Sequence, residues 1–145
     1  MTAVTPNAPN HEGLGPLASR FVNIDEMPWE DTIFPGVRVK TLLLDKSTGL
    51  LTALLKMDPG ASLPDHEHVQ IEQTYVLEGR LLDPDGEVTA GNFVWRPAGS
   101  RHAATTPEGG LMLAIFQKPN RFHARPGETH DMLGQDWDTA WGATP

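Results

Sequence analysis

Gly60-Ala-Ser-Leu-Pro-Asp-His66-Glu-His68-Val-Gln-Ile-Glu72-Gln-Thr-Tyr-Val-Leu-Glu-Gly79 is the stretch on which the fold and the chemistry both turn. Two imidazoles one residue apart cannot share a face of a helix, whereas on a β-strand residues i and i+2 point the same way. His66 and His68, set among β-forming residues, thus read as a two-pronged grip on something small. Paired histidines with a nearby carboxylate suit a first-row divalent metal, and with coordination positions left open they suit iron(II) and dioxygen chemistry. Glu72 supplies that carboxylate four residues on, sharing the parity of the histidines only if no bulge falls between 68 and 72.

Outward from this stretch, turn signals recur at short intervals. Val37–Asp45 and Leu50–Met57 are apolar runs joined by Lys46-Ser47-Thr48-Gly49, a hairpin pattern. Thr74–Leu77 is β-prone, Glu78-Gly79 reads as a reversal, and Asp83-Pro84-Asp85-Gly86 is a turn in which Pro sets φ and Gly supplies φ > 0. Further short strands are expected at Arg20–Ile24, Glu87–Ala90, Asn92–Arg96, His102–Thr105 and Leu111–Gln117. This rhythm predicts an all-β sandwich or barrel. A sheet curled on itself would bring the strand that ends in His102, after Pro97-Ala98-Gly99, beside the first two histidines.

Composition agrees and excludes alternatives. At 145 residues the chain has room for one sizeable core, and 14 Gly with 13 Pro suit tight turns better than a helical bundle. A net charge of −8 argues against nucleic acid or an anionic membrane as partner. Without cysteine there are neither disulfides nor thiolate ligands, which leaves His and carboxylate to hold a metal. The opening residues show no signal-peptide pattern and no apolar run approaches a membrane span, so a soluble cytoplasmic protein is expected.

The two His-bearing segments resemble the paired motifs of the cupin superfamily. The first has Gly, five residues, His-x-His, three residues, Glu, six residues and Gly, met by Gly60, His66, His68, Glu72 and Gly79. The second has Gly, five residues, Pro-x-Gly, two residues and His, met by Gly91, Pro97, Gly99 and His102; an Asn usual in the family is Thr106 here. The resemblance implies a single-domain, all-β jelly-roll barrel with extra N-terminal strands and a C-terminal tail. Its expected organisation is an arm at 1–16, the barrel at 17–120, and a tail at 121–145 whose Trp137 and Trp141 pack on the barrel or a neighbouring subunit. It also implies a metal held by His66, His68, Glu72 and His102.

Pro35-Gly-Val37, the run 48–55, Leu77-Glu-Gly79 and Pro97–His102 are similar to a bacterial subgroup with two roles. One is oxygen-dependent carbon–carbon cleavage of β-diketones by acetylacetone dioxygenases, which implies iron(II) on three histidines with the carboxylate remote or weakly bound; zinc(II) or nickel(II) is an alternative occupant in purified protein. The other is the zinc-binding cupin domain of anti-sigma factors, in which the Glu is a ligand. The expected function is therefore a metal-dependent dioxygenase acting on a small β-diketone and O2, with a zinc sensor or another metal-dependent cupin enzyme as alternatives and a homodimer or larger oligomer as the assembly. Candidate substrate-binding residues are Gln73, Tyr75, Arg80, Phe93, Trp95 and Phe116, the aromatics forming a cavity wall. His11, His123 and His130 are expected in solvent.

Overall fold

The computed structural model describes residues 2–142, with the backbone alone at 124 and 125; Met1 of the expected arm and residues 143–145 of the expected tail lie outside it. Twelve strands follow in order: β1 (Ala3–Val4), β2 (Glu30–Asp31), β3 (Val37–Asp45), β4 (Leu50–Met57), β5 (Ser62–Glu67), β6 (Glu72–Asp83), β7 (Gly86–Thr89), β8 (Phe93–Arg96), β9 (Arg101–Thr105), β10 (Gly110–Phe116), β11 (Arg121–Arg125) and β12 (Glu128–His130). Helical structure is confined to short turns such as Asp138–Gly142, and none of the described helices is long and apolar enough to cross a membrane.

The strands form a single folded-over sheet in the order β1-β3-β4-β10-β6-β9-β5-β11-β12, with β2, β7 and β8 paired at its margins. Two layers result, the all-β architecture expected of a cupin. Val37, Val39, Leu55 and Met57 from one layer meet Leu63, Ala104 and Phe122 from the other, and these close the core with Val76, Leu81, Val88 and Met112. The β3–β4 hairpin turns where expected, its register running from Asp45↔Leu50 to Val37↔Met57.

Strand β6 departs from expectation. Glu78-Gly79 does not reverse the chain: β6 runs through, and a bulge beside Leu111/Met112 pairs Val76 with Met112 but Glu78 with Leu111. Gly79 is needed there because a Cβ would stand 1.9 Å from the Gly109 carbonyl oxygen and its φ is +71°. The extra residue at Leu77 switches side-chain parity, so that 72, 74 and 76 face inward before it and 81 and 83 after it. Through this bulge one long strand serves both layers.

Arg20–Ile24 is not a strand. Its only regular piece is the 3-10 turn Ile24–Glu26, and the Phe21 carbonyl accepts from the Asn10 and His11 side chains instead of a ladder partner. Past residue 120 the sheet continues: β11 pairs with β5, Phe122 opposite His66. His123 and His130 therefore leave the solvent expected for them; His123 Nε2 lies 3.4 Å from Glu67, and His130 stacks on Phe122. Trp137 and Trp141 are buried, their indole N–H groups donating to the Pro119 carbonyl at 3.0 Å and to Asp131 at 2.9 Å.

Candidate metal centre

Three imidazoles reach one point from two neighbouring strands. His66 lies on β5 and pairs across with His102 on β9. His68 stands just past the end of β5, where the Pro97-Ala98-Gly99 turn holds it: its N–H donates to the Ser100 carbonyl at 2.8 Å, and its own carbonyl accepts from Gly99 at 2.7 Å. A shared strand is thus only half of the reason His66 and His68 converge, since the backbone clamp completes it. Ring centroids are 4.6 to 5.1 Å apart, and one ligand atom from each ring falls within 4.8 Å of the others.

All three rings are held by the same nitrogen. Nδ1–H donates to the Pro64 carbonyl in His66 (2.9 Å), to Ser100 in His68 (carbonyl 3.1 Å, Oγ 2.9 Å) and to Asp83 Oδ2 in His102 (2.7 Å). Each tautomer is thereby fixed with a bare Nε2 as the remaining ligand atom, the arrangement that outer partners impose on metal-binding histidines. His68 Nε2 is buried, faces the Glu72 carboxylate at 3.0 Å, and with Nδ1 carrying the ring proton it has no hydrogen to donate to it. Burial pushes His66 down to about 4, and lowers His102 as well despite the Asp83 contact, which keeps both rings neutral as metal ligands must be. Three imidazoles presenting free nitrogens to one point fit a divalent first-row ion.

Two carboxylates flank the cluster. Glu72 comes from β6 in the opposite layer, not from an extension of the His66 strand, because Val69–Ile71 form a connection between β5 and β6. Its Oε2 lies 3.0 Å from His68 Nε2 and accepts from Asn120 Nδ2 at 3.2 Å. Burial would raise its pKa, but in the metal-free chain His68 and His66, once acid has protonated their rings, outweigh that together with Asn120 and hold the carboxyl at about 2. Asp83, at the far end of β6, binds the remote nitrogen of His102 and is paired with Arg96.

The wall places the remaining candidates unevenly. Phe116 is buried and lines a cavity of about 20 Å³ together with His66, Glu72, His102, Arg96 and Asn120. Gln73, Tyr75, Phe93 and Trp95 do not reach it. They stand opposite one another on the outer face of β6 and β8, Gln73↔Trp95 and Tyr75↔Phe93, with Tyr75, Phe93 and Trp95 exposed by 42, 54 and 56%. Alternation places Thr74, Val94 and Arg96 inside, so the aromatic wall expected here is an outer surface. Arg80, beyond the bulge, also points out and pairs with Glu87 and Glu108. The cavity's arginine is Arg96.

Nothing in the sequence pattern singles out Asp83, Asn120 and Ser100. Asp83 reads there as the first residue of a turn, a role it also fills by accepting from the Asp85 and Gly86 N–H groups. No local signal marks Asn120; it follows a Pro and serves the site only because it lies between β10, which lines the cavity, and β11, which pairs with β5. Thr106, where the family usually has Asn, is fully buried and donates to the Arg80 carbonyl at 2.7 Å, apart from the histidines.

Solved structures share this architecture. A candidate acetylacetone dioxygenase from Methylibium petroleiphilum PM1 superposes with a TM-score of 0.72 at 22% identity, over 90% of this chain and 99% of the other. The acetylacetone dioxygenase of Acinetobacter johnsonii gives 0.69 at 19% identity, over 88 and 94%. A chain of the Rhodobacter sphaeroides complex of SigE with the anti-sigma ChrR gives 0.56 at 25%, over 64 and 51%. No curated protein matches the chain by sequence. The ChrR cupin-like domain family matches residues 18–121, a span that holds both motifs and all four candidate ligands, and the chain belongs to that family.

Proposed function

We propose that the chain is a metal-dependent cupin dioxygenase that cleaves a carbon–carbon bond of a β-diketone. The observation that carries this reading is the convergence of three imidazoles whose Nδ1 atoms are all spoken for. His66, His68 and His102 would hold the ion, with Glu72 beside His68 as the fourth group. Iron(II) bound there would supply chelation of the enolate's two oxygens and an electron path to dioxygen.

The chain's own residues do the rest. Arg96, charge-balanced by Asp83, presents a cation at the cavity wall to an anionic head group. Leu55, Met112 and Phe116 exclude water from the reacting centre. Asp83 and Ser100 keep the His102 and His68 rings turned for binding. The overall reaction adds both atoms of O2 across the cleaved bond, so that acetylacetone gives acetic acid and a 2-oxo aldehyde.

A second reading, a zinc-binding regulatory cupin, is favoured by one contact: Glu72 Oε2, 3.0 Å from His68 Nε2, is in position to close a four-ligand site. An oxygen-electrode trace on protein reconstituted with iron(II) separates the two. Uptake on adding acetylacetone, stoichiometric with acid formed, is expected of the dioxygenase. Tightly retained zinc with no uptake by the iron form would establish the regulatory reading instead.

A further inference from the structure

The histidine cavity holds about 20 Å³, enough for an ion and little else, so a substrate must extend beyond it. A second cavity of about 100 Å³ opens between the inner faces of β3, β4 and β10 and the segment that carries Met132, Leu133 and Trp141. Leu55, Ala114, Phe116, Asn120 and Met132 line both spaces, which makes them neighbouring compartments with a common wall. Nearly all of the second lining is hydrocarbon: Val39, Leu44, Leu51, Ala53 and Leu133 face it. An apolar void of about 150 Å³ takes a benzene molecule, so this one has room for a short alkyl chain or part of a ring.

Asn120 marks the seam. It is 6% exposed, its Nδ2 is committed to Glu72, and its Oδ1 has no hydrogen-bond partner. It stands where the polar head of a molecule would give way to its apolar tail.

We infer that the cavity beside the histidines receives the apolar arm of an amphiphilic substrate, a 1,3-dicarbonyl carrying an alkyl substituent of several carbons, whose head is turned to the histidines. The inference rests on the histidine site as the place where the head binds. Leu133, 47% exposed, forms the rim, and Ala53, 6% exposed, the floor.

The test is isothermal titration of 2,4-pentanedione, 2,4-nonanedione and 2-nonanone into zinc(II)-loaded protein, a form in which binding is read without turnover. The long diketone is expected to bind at least ~10-fold more tightly than pentanedione, since each buried methylene contributes about 0.8 kcal/mol. Ala53→Phe should erase that preference and leave pentanedione unchanged; Leu133→Trp, at the exposed rim, repeats the test if the floor variant fails to fold. Equal affinity for the two diketones overturns the inference even if acetylacetone is cleaved. Binding of 2-nonanone without either diketone sustains the cavity and refutes the diketone head. Long-chain ligands bound as tightly by both folded variants as by the natural chain overturn the cavity assignment.

Discussion

Glu72 and Asp83 lie at the two ends of one strand, both turned inward, and do different work. Glu72 touches the bare nitrogen of His68, on the side where an ion would sit. Asp83 touches the protonated nitrogen of His102, on the side away from it, and is neutralised by Arg96. Eleven positions separate them, an odd number that would put them on opposite faces of a regular strand. The bulge at Leu77, with Gly79 packed onto Gly109, restores Asp83 to the inside. The lesson is that one residue of slippage decides whether the site has one carboxylate or two.

Removing what the two carboxylates serve has the largest expected effect. His68→Ala should lower metal affinity by more than about 100-fold, read by competition with a chromogenic chelator, while far-ultraviolet dichroism stays that of a β-protein. Retained affinity would mean that the ring next to Glu72 is not part of the centre. Glu72→Gln comes next, with an expected loss toward the upper end of the roughly 10–100-fold range, because the carboxylate lies on the ion's side. Asp83→Asn should cost about 10-fold, by loosening the His102 ring, and Asp83→Glu should recover part of it. Equal losses for Glu72→Gln and Asp83→Asn would erase the distinction between the two ends of β6.

A separate effect, on stability and not on metal affinity, falls on the metal-free fold. His66, held at about 4, stays neutral in the folded chain while the unfolded imidazole, ordinarily at 6.5, takes up a proton. Its contribution is complete above about pH 6.5 and is lost as pH falls toward 4, since the unfolded chain binds more protons in that window. Between pH 7 and pH 5 the loss should be about 2 kcal/mol, read by urea unfolding with a chelator present. Glu72, lowered from 4.5 to about 2, adds its own loss only below about pH 4.5. Stability unchanged down to pH 5 would contradict the burial of a neutral His66.

The histidines were legible because their spacing is local: His-x-His on a β-run and a third His after a Pro-x-Gly turn leave few ways for the sheet to close. An all-β sandwich or barrel followed from the turns that punctuate 35–117, and the jelly roll from the resemblance of the two His-bearing segments to the cupin motifs. What could not be read was parity beyond a bulge. Tyr75, Phe93 and Trp95 alternate as a cavity wall would, yet the register Tyr75↔Phe93 turns them outward and brings in Arg96. Hydrophobic alternation tells which residues share a face, not which face is the inside, when both are apolar. Asn120 is the last residue of the expected barrel and Phe122 belongs to the segment that the sequence presents as a tail, which only the pairing of β11 with β5 brings to the site.

The most direct test of the metal centre is elemental analysis of the natural chain and His66→Ala, purified side by side without chelators. One equivalent of a divalent first-row metal in the natural chain and none in the folded variant is the expected result; equal metal in both would contradict the assignment.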